Sequence, residues 1–143
     1  MTVLPHSALP AELFGEPNRL SLVIRAAQII VIDDMLENVT LVTRILAGHG
    51  FQSVAGITDP RQLPAQLAAT PPDLVITDLH MPESSTFGVL DLLAPLVTSD
   101  RLAVLVVTGD DSSETRHEAL ARGARDFVNK PFDAVELTLR VRN

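Results

Sequence analysis

Five short apolar runs punctuate the chain: AQIIVI ending at Ile32, SVAGI ending at Ile57, DLVIT ending at Thr77, LAVLVVT ending at Thr108 and DFVN ending at Asn129. Four of them are rich in Val, Ile, Leu and Phe instead of alternating apolar with polar residues, the pattern of strands covered on both faces. Helical stretches separate them. Residues 37–47 carry Val39, Val42 and Leu46 at near-helical spacing and run into Gly48-His49-Gly50, a C-terminal glycine signal. Residues 63–69 place Pro64 in a first turn, where it is tolerated. A third helix is expected over 87–96, interrupted by Pro95, and a fourth over 112–122, with Ser112 as cap and Gly123 following. Residues 133–142 form a fifth, capped by Asp133. Strand and helix thus alternate five times, which predicts an α/β fold: a doubly wound five-stranded parallel sheet with right-handed crossovers.

Composition narrows the function classes. At 143 residues and 46% hydrophobic content the chain has the size and apolar mass of one domain. Residues 1–27 stand outside the repeating pattern and read as a leader or linker, leaving 28–143 as the domain itself. Apolar stretches are too short to span a bilayer, and the N-terminus has no basic segment followed by an unbroken apolar one; no membrane association and a cytoplasmic location are the expectation. The chain has no cysteine, so disulfides, thiol catalysis and Cys-ligated metal are excluded. A net charge of −7 argues against direct nucleic-acid binding.

In open α/β sheets, ligands bind beyond the carboxyl ends of the strands, where strand order reverses. The residues at those ends therefore matter most. They are Asp33 and Asp34 after the first strand, Asp78 after the third, Thr108 closing the fourth, and Lys130 after the fifth, followed by Pro131. With strand order 2-1-3-4-5 the three carboxylates converge. Such a group repels itself, and Mg2+ is the natural remedy because it takes oxygen ligands and one or two carboxylates. Lys130 adds a positive charge and Thr108 a hydroxyl. Together these groups suit stabilisation of a transferring phosphoryl group, with an aspartate as nucleophile.

The segments IIVIDD, LVITDLHMP, VLVVTGD and FVNKPF resemble, in order and approximate spacing, the signature segments of response-regulator receiver domains, over residues 28–142. The resemblance implies a flavodoxin-like receiver fold and a two-component phosphorylation switch rather than an enzyme. It implies Asp78 as phosphoacceptor, with Mg2+ held by Asp34, Asp78 and the backbone carbonyl of His80, and with Asp33 acting alongside through water. Thr108 would hydrogen-bond a phosphoryl oxygen, Lys130 would pair with the phosphate, and Thr108 with Phe127 would form the switch. Implied partners are a histidine kinase or phosphotransfer protein and an output domain or effector protein; the ending FDAVELTLRVRN is similar to segments that precede HD-GYP type domains in some relatives. A homodimer is compatible with this reading.

The chain departs from the family at Thr86, which stands where many members have a glycine, four residues after the Met81-Pro82 proline. An ungapped register puts Phe87, Leu90 and Leu93 on one helical stripe and predicts a differently shaped loop beside Asp78. The side chains of His80 and Asp110 flank the site at positions that, by the same resemblance, tune loss of the phosphoryl group. Taken singly, each of these groups has an ordinary structural explanation: Asp33-Asp34 as a helix cap, Asp78 as a turn residue, Thr108 as loop chemistry. Their joint occurrence at four strand ends favours a shared site. The histidines His6, His49, His80 and His117 suggest no metal site, and Arg116, Arg122, Arg125, Arg140 and Arg142 read as solvated charges. Two other classes are weighed. One is a phosphorylation-independent docking module. The other is a haloacid-dehalogenase-like phosphohydrolase, whose D-x-D motif on the first strand has no counterpart here.

Overall fold

The computed structural model describes residues 26–81 and 85–142; the leader reading for 1–25, and Pro82, lie outside the described residues. All five apolar runs are strands: β1 (Gln28–Ile32), β2 (Ser53–Ile57), β3 (Leu74–Thr77), β4 (Ala103–Thr108) and β5 (Asp126–Asn129). They form one parallel sheet in the order β2-β1-β3-β4-β5. Among the described residues the helices that follow β1 are α1 (Leu36–Gly48), α2 (Leu63–Ala69), α3 (Gly88–Thr98), α4 (Ser113–Ala121) and α5 (Ala134–Arg142), with a short 3-10 turn, Pro60–Gln62, leading into α2.

Alternate residues of a strand point to opposite faces, and here both sets are apolar, so the sheet has a core on each side. Ile30, Ile32, Val75, Val104, Val106 and Phe127 pack under Leu63 of α2, Leu90 and Leu93 of α3 and Ala119 of α4. Ile29, Val31, Ile76, Leu105, Val107 and Val128 pack under Val39, Val42 and Leu46 of α1 and Leu137 of α5. This double coverage explains why the strands are continuous in apolar residues.

Local chemistry sets the ends of the helices. The Ser112 hydroxyl accepts the Thr115 N–H at 3.3 Å, and an Asp133 carboxylate oxygen accepts the Glu136 N–H at 2.7 Å, so both expected caps are made. After α1 the reversal falls on Gly50, at φ 96°, as the Phe51 N–H returns to the Leu46 carbonyl at 3.1 Å. Pro95 does not interrupt α3, which continues to Thr98. A proline deprives the carbonyl four residues earlier of its partner; here that residue is Asp91, which is exposed, as is Pro95.

Gly56 lies where α1 comes closest to β2. A Cβ there would sit 2.5 Å from Val39 Cγ1, and Val39 is buried and stiff about χ1. Gly56→Ala is therefore expected to destabilise the domain by about 1–3 kcal/mol. Adding Val39→Ala should recover part of that loss, seen as a positive coupling in a double-mutant cycle of urea midpoints.

Candidate functional site

Main-chain hydrogen bonds carry the strand ladders one residue beyond their ends and so fix the site. The Asp33 N–H donates to the Ile57 carbonyl (3.1 Å), the Asp78 N–H to Ile32 (3.0 Å) and the Lys130 N–H to Thr108 (2.9 Å). Each chemistry-bearing residue is thereby hooked onto the end of a neighbouring strand. Because β1 and β3 are adjacent, with Ile32 opposite Thr77, Asp33 and Asp78 leave the sheet side by side. Carboxylate oxygens of Asp33, Asp34 and Asp78 all lie within 4.8 Å of one another.

Lys130 reaches across the sheet into this group. Its Nζ donates to Asp33 Oδ2 at 2.7 Å and to Asp78 Oδ2 at 2.8 Å, bridging the two acids. The other Asp78 oxygen, Oδ1, accepts the Leu79 N–H at 2.6 Å and the His80 N–H at 3.3 Å. Asp33 Oδ1 accepts the Met35 N–H at 2.9 Å, at the entrance to α1. Thr108 is buried at the end of β4, close to Asp78. The Lys130–Pro131 peptide bond is cis.

Burial pushes the Asp78 carboxyl up, but hydrogen bonds from Lys130 and Thr108 and the lysine charge outweigh it, leaving the group below the ordinary carboxylate range. Lys130 shows the converse: burial pulls it down, and its bonds to Asp33 and Asp78 more than restore it, so it titrates above an ordinary lysine. Asp34 is different. Burial, then the neighbouring Asp33 charge, raises its carboxyl. Among the described residues Lys130 thus bridges two of the three carboxylates, and Asp34 is left with the repulsion of its neighbours. That donor set, all oxygen and anionic, fits a hard divalent cation such as Mg2+.

Phe127 is 3% exposed and points into the core shared with α3 and α4, while the Arg116 guanidinium lies over its ring, 5.5 Å from the centroid. Phe51 is buried, and Phe87 and Phe132 pack partly buried against the two cores, as their apolarity suggests. On α3, Leu90 and Leu93 are buried and Phe87 borders them at the helix start, so the expected apolar stripe is formed.

Two features escaped the sequence. The arginines are not simply solvated: Arg122 pairs with Asp91 and Glu118 and lies 4.8 Å over Phe87, and Arg140 pairs with Asp126 at 3.0 Å. The side chain of His80 also does more than flank the site. Its Nε2 lies 2.8 Å from Asp110 Oδ2, joining the loop after β3 to the loop after β4. Asp110 further accepts the Ser112 N–H and the Thr115 hydroxyl, and the Ser112 N–H, with His80 and Thr115, holds its carboxyl well below the usual range. Partners 30 residues apart leave no periodic signal; only the flanking positions were legible.

A parallel sheet in this order, with acids, a threonine and a lysine gathered at its carboxyl edge, defines the receiver class of signalling domains. Residues 29–142 match the response regulator receiver domain family, and the chain belongs to it. It is 33% identical over 118 residues to the response regulator PleD of Caulobacter vibrioides, covering 82% of this chain and 26% of that protein. It is 34% identical over 114 residues to the transcriptional regulatory protein KdpE of Mycobacterium tuberculosis, covering 80% of this chain and 49% of that one. Among solved structures, the receiver domain of NtrX from Brucella abortus superposes with a TM-score of 0.72 at 29% identity, covering 80% of this chain and 94% of that one. The chain thus spans about a quarter to a half of the length of these curated relatives. Receiver domains are phosphorylation switches that work with histidine kinases and output domains. Among the described residues no helix is long and apolar enough to cross a membrane.

The Lys130 bridge makes a testable electrostatic unit. Asp78, titrating below its unfolded value, contributes stability above about pH 4 that is lost as pH falls through its depressed folded value. Lys130, titrating above its unfolded value, contributes stability below about pH 10 that is lost as pH rises through its raised one. Lys130→Met in chelator-treated buffer should therefore cost about 1–3 kcal/mol at neutral pH. The difference from the parent chain should narrow as pH falls below about 4 and through the depressed Asp78 value. Urea unfolding at several pH values, with carboxyl-carbon NMR reporting a raised Asp78 titration, checks both.

Proposed function

We propose that Asp78 is the phosphoacceptor, taking a phosphoryl group from the phosphohistidine of a histidine kinase or phosphotransfer protein. A carboxylate oxygen of Asp78 attacks phosphorus, the P–N bond breaks, and the electron pair leaves with the donor imidazole, giving an acyl phosphate. The observation that carries this reading is the seat of Asp78: buried, ionised, and bonded to Lys130 and to two main-chain N–H groups at the carboxyl edge of the sheet. Lys130 would exchange its bond to Asp78 for one to the phosphoryl group, and Thr108 would donate to a phosphoryl oxygen. Stabilising charge on that group is the main catalytic task in phosphoryl transfer. Mg2+, held by Asp34, Asp78 and the His80 carbonyl with Asp33 acting through water, would supply further positive charge.

Thr108 and Phe127 then act as the switch. With no hydroxyl on Phe127, its output is read through ring position and packing, a population shift between two arrangements that controls an output domain or partner protein. Residues 28–143 form this unit and 1–27 a leader or linker to it.

Intact mass after incubation with acetyl phosphate and Mg2+ tests the proposal. One phosphoryl adduct is expected, lost with chelator and lost in Asp78→Asn. An adduct that persists in Asp78→Asn moves the acceptor elsewhere. No adduct from acetyl phosphate, phosphoramidate or a panel of purified kinases sinks the acceptor role and leaves a docking module as the better reading.

A further inference from the structure

We propose that His80, Asp110 and Thr115 form a latch that restrains Thr108, and that the latch opens when Asp78 is phosphorylated. The proposal rests on Asp78 being the acceptor and adds positioning residues to that site. Three hydrogen bonds link four residues in a chain from Asp78 to Thr108. The His80 N–H donates to Asp78 Oδ1 at 3.3 Å, and the His80 ring meets Asp110 Oδ2 at 2.8 Å. The Asp110 N–H donates to Thr108 Oγ1 at 3.4 Å. The two main-chain contacts that touch the site are long, and the contact between the loops is short.

Asp110 is held from several sides. Oδ2 accepts the Thr115 hydroxyl at 3.0 Å as well as the His80 ring, Oδ1 accepts the Ser112 N–H at 3.0 Å, and the Asp110 carbonyl accepts Asn129 Nδ2 at 3.3 Å. The loop between β4 and α4 is therefore tied to the β3 side of the site, to the first turn of α4 and to β5. When the Thr108 hydroxyl turns onto a phosphoryl oxygen, it withdraws the acceptor from the Asp110 N–H. The loop cannot follow while His80 and Thr115 hold the Asp110 carboxylate, so either the latch breaks or Thr108 stays back. The next residue of α4, Arg116, lies over the Phe127 ring, so one helical turn touches both the latch and the switch aromatic.

The test is affinity of the full chain for beryllium fluoride with Mg2+, a mimic of the phosphoryl group, read from amide NMR shifts of Thr108 and Phe127. His80→Ala and Thr115→Val should each tighten binding about two- to fivefold, the size of one partly exposed polar pair. Because both act through Asp110, the double variant should be no tighter than the stronger single one. His80→Gln and Thr115→Ser, which keep a donor, should return toward the parent value, and thermal midpoints establish that each variant is folded. Thr115 makes no contact with Asp78 among the hydrogen bonds of the site, so a direct effect of His80 on the phosphoryl group would leave Thr115→Val silent. A silent Thr115→Val, effects that multiply in the double variant, or weakened binding would each overturn the latch. Uptake by the parent with the same affinity in every variant removes the latch alone; no uptake by the parent, together with no adduct in the mass experiment, removes the acceptor role and the latch with it.

Discussion

The adjacency of β1 and β3 is the constraint on which the site depends. Parallel strands that are neighbours in space but not in sequence deliver their carboxyl ends to one edge, and the register of Ile32 against Thr77 sets Asp33 and Asp78 level. Had β2 lain between β1 and β3, the two acids would have been separated by a further strand spacing of roughly 5 Å. Lys130 could not then have bridged them. The order β2-β1-β3-β4-β5 is thus more than a topological label, because it creates the charge cluster at the sheet edge.

That cluster is built to be stable but incompletely neutralised. Lys130 satisfies one oxygen each of Asp33 and Asp78, while main-chain N–H groups take the others. Among the described residues no cation pairs with Asp34, and burial and the Asp33 charge raise its carboxyl. A domain selected for stability alone would gain by replacing one of these acids, since uncompensated carboxylates near one another cost free energy. Three such acids at the sheet edge fit the proposed reception of a cation and a phosphoryl group there.

The fold was largely legible because its signals are local or periodic. Continuous apolar runs announced buried strands, and side-chain caps at Ser112 and Asp133 announced helix starts. The converging strand-end residues were legible once the parallel order was assumed. Pro95 misled because its cost depends on whether the deprived carbonyl faces water, which sequence does not encode. Arg122 and the bond between His80 and Asp110 were invisible for a related reason. Each joins segments about 30 residues apart, and only the assembled sheet brings them together.

The packing around β5 suggests how a change at the edge would travel. Phe127 pairs with Val106 on β4 and shares its core with Leu90, Leu93 and Ala119, so its ring cannot move without disturbing α3 and α4. On the opposite face, Val128 packs in the core that contains α1 and α5, which is lined by different side chains. A signal carried by Phe127 would therefore emerge on the α3 and α4 side. Close packing favours two discrete arrangements over a graded one, because interiors at crystal-like density have little room for intermediate positions. With a phenylalanine at this position, a difference between two such arrangements would be carried by ring volume and by the guanidinium of Arg116, which lies over the ring.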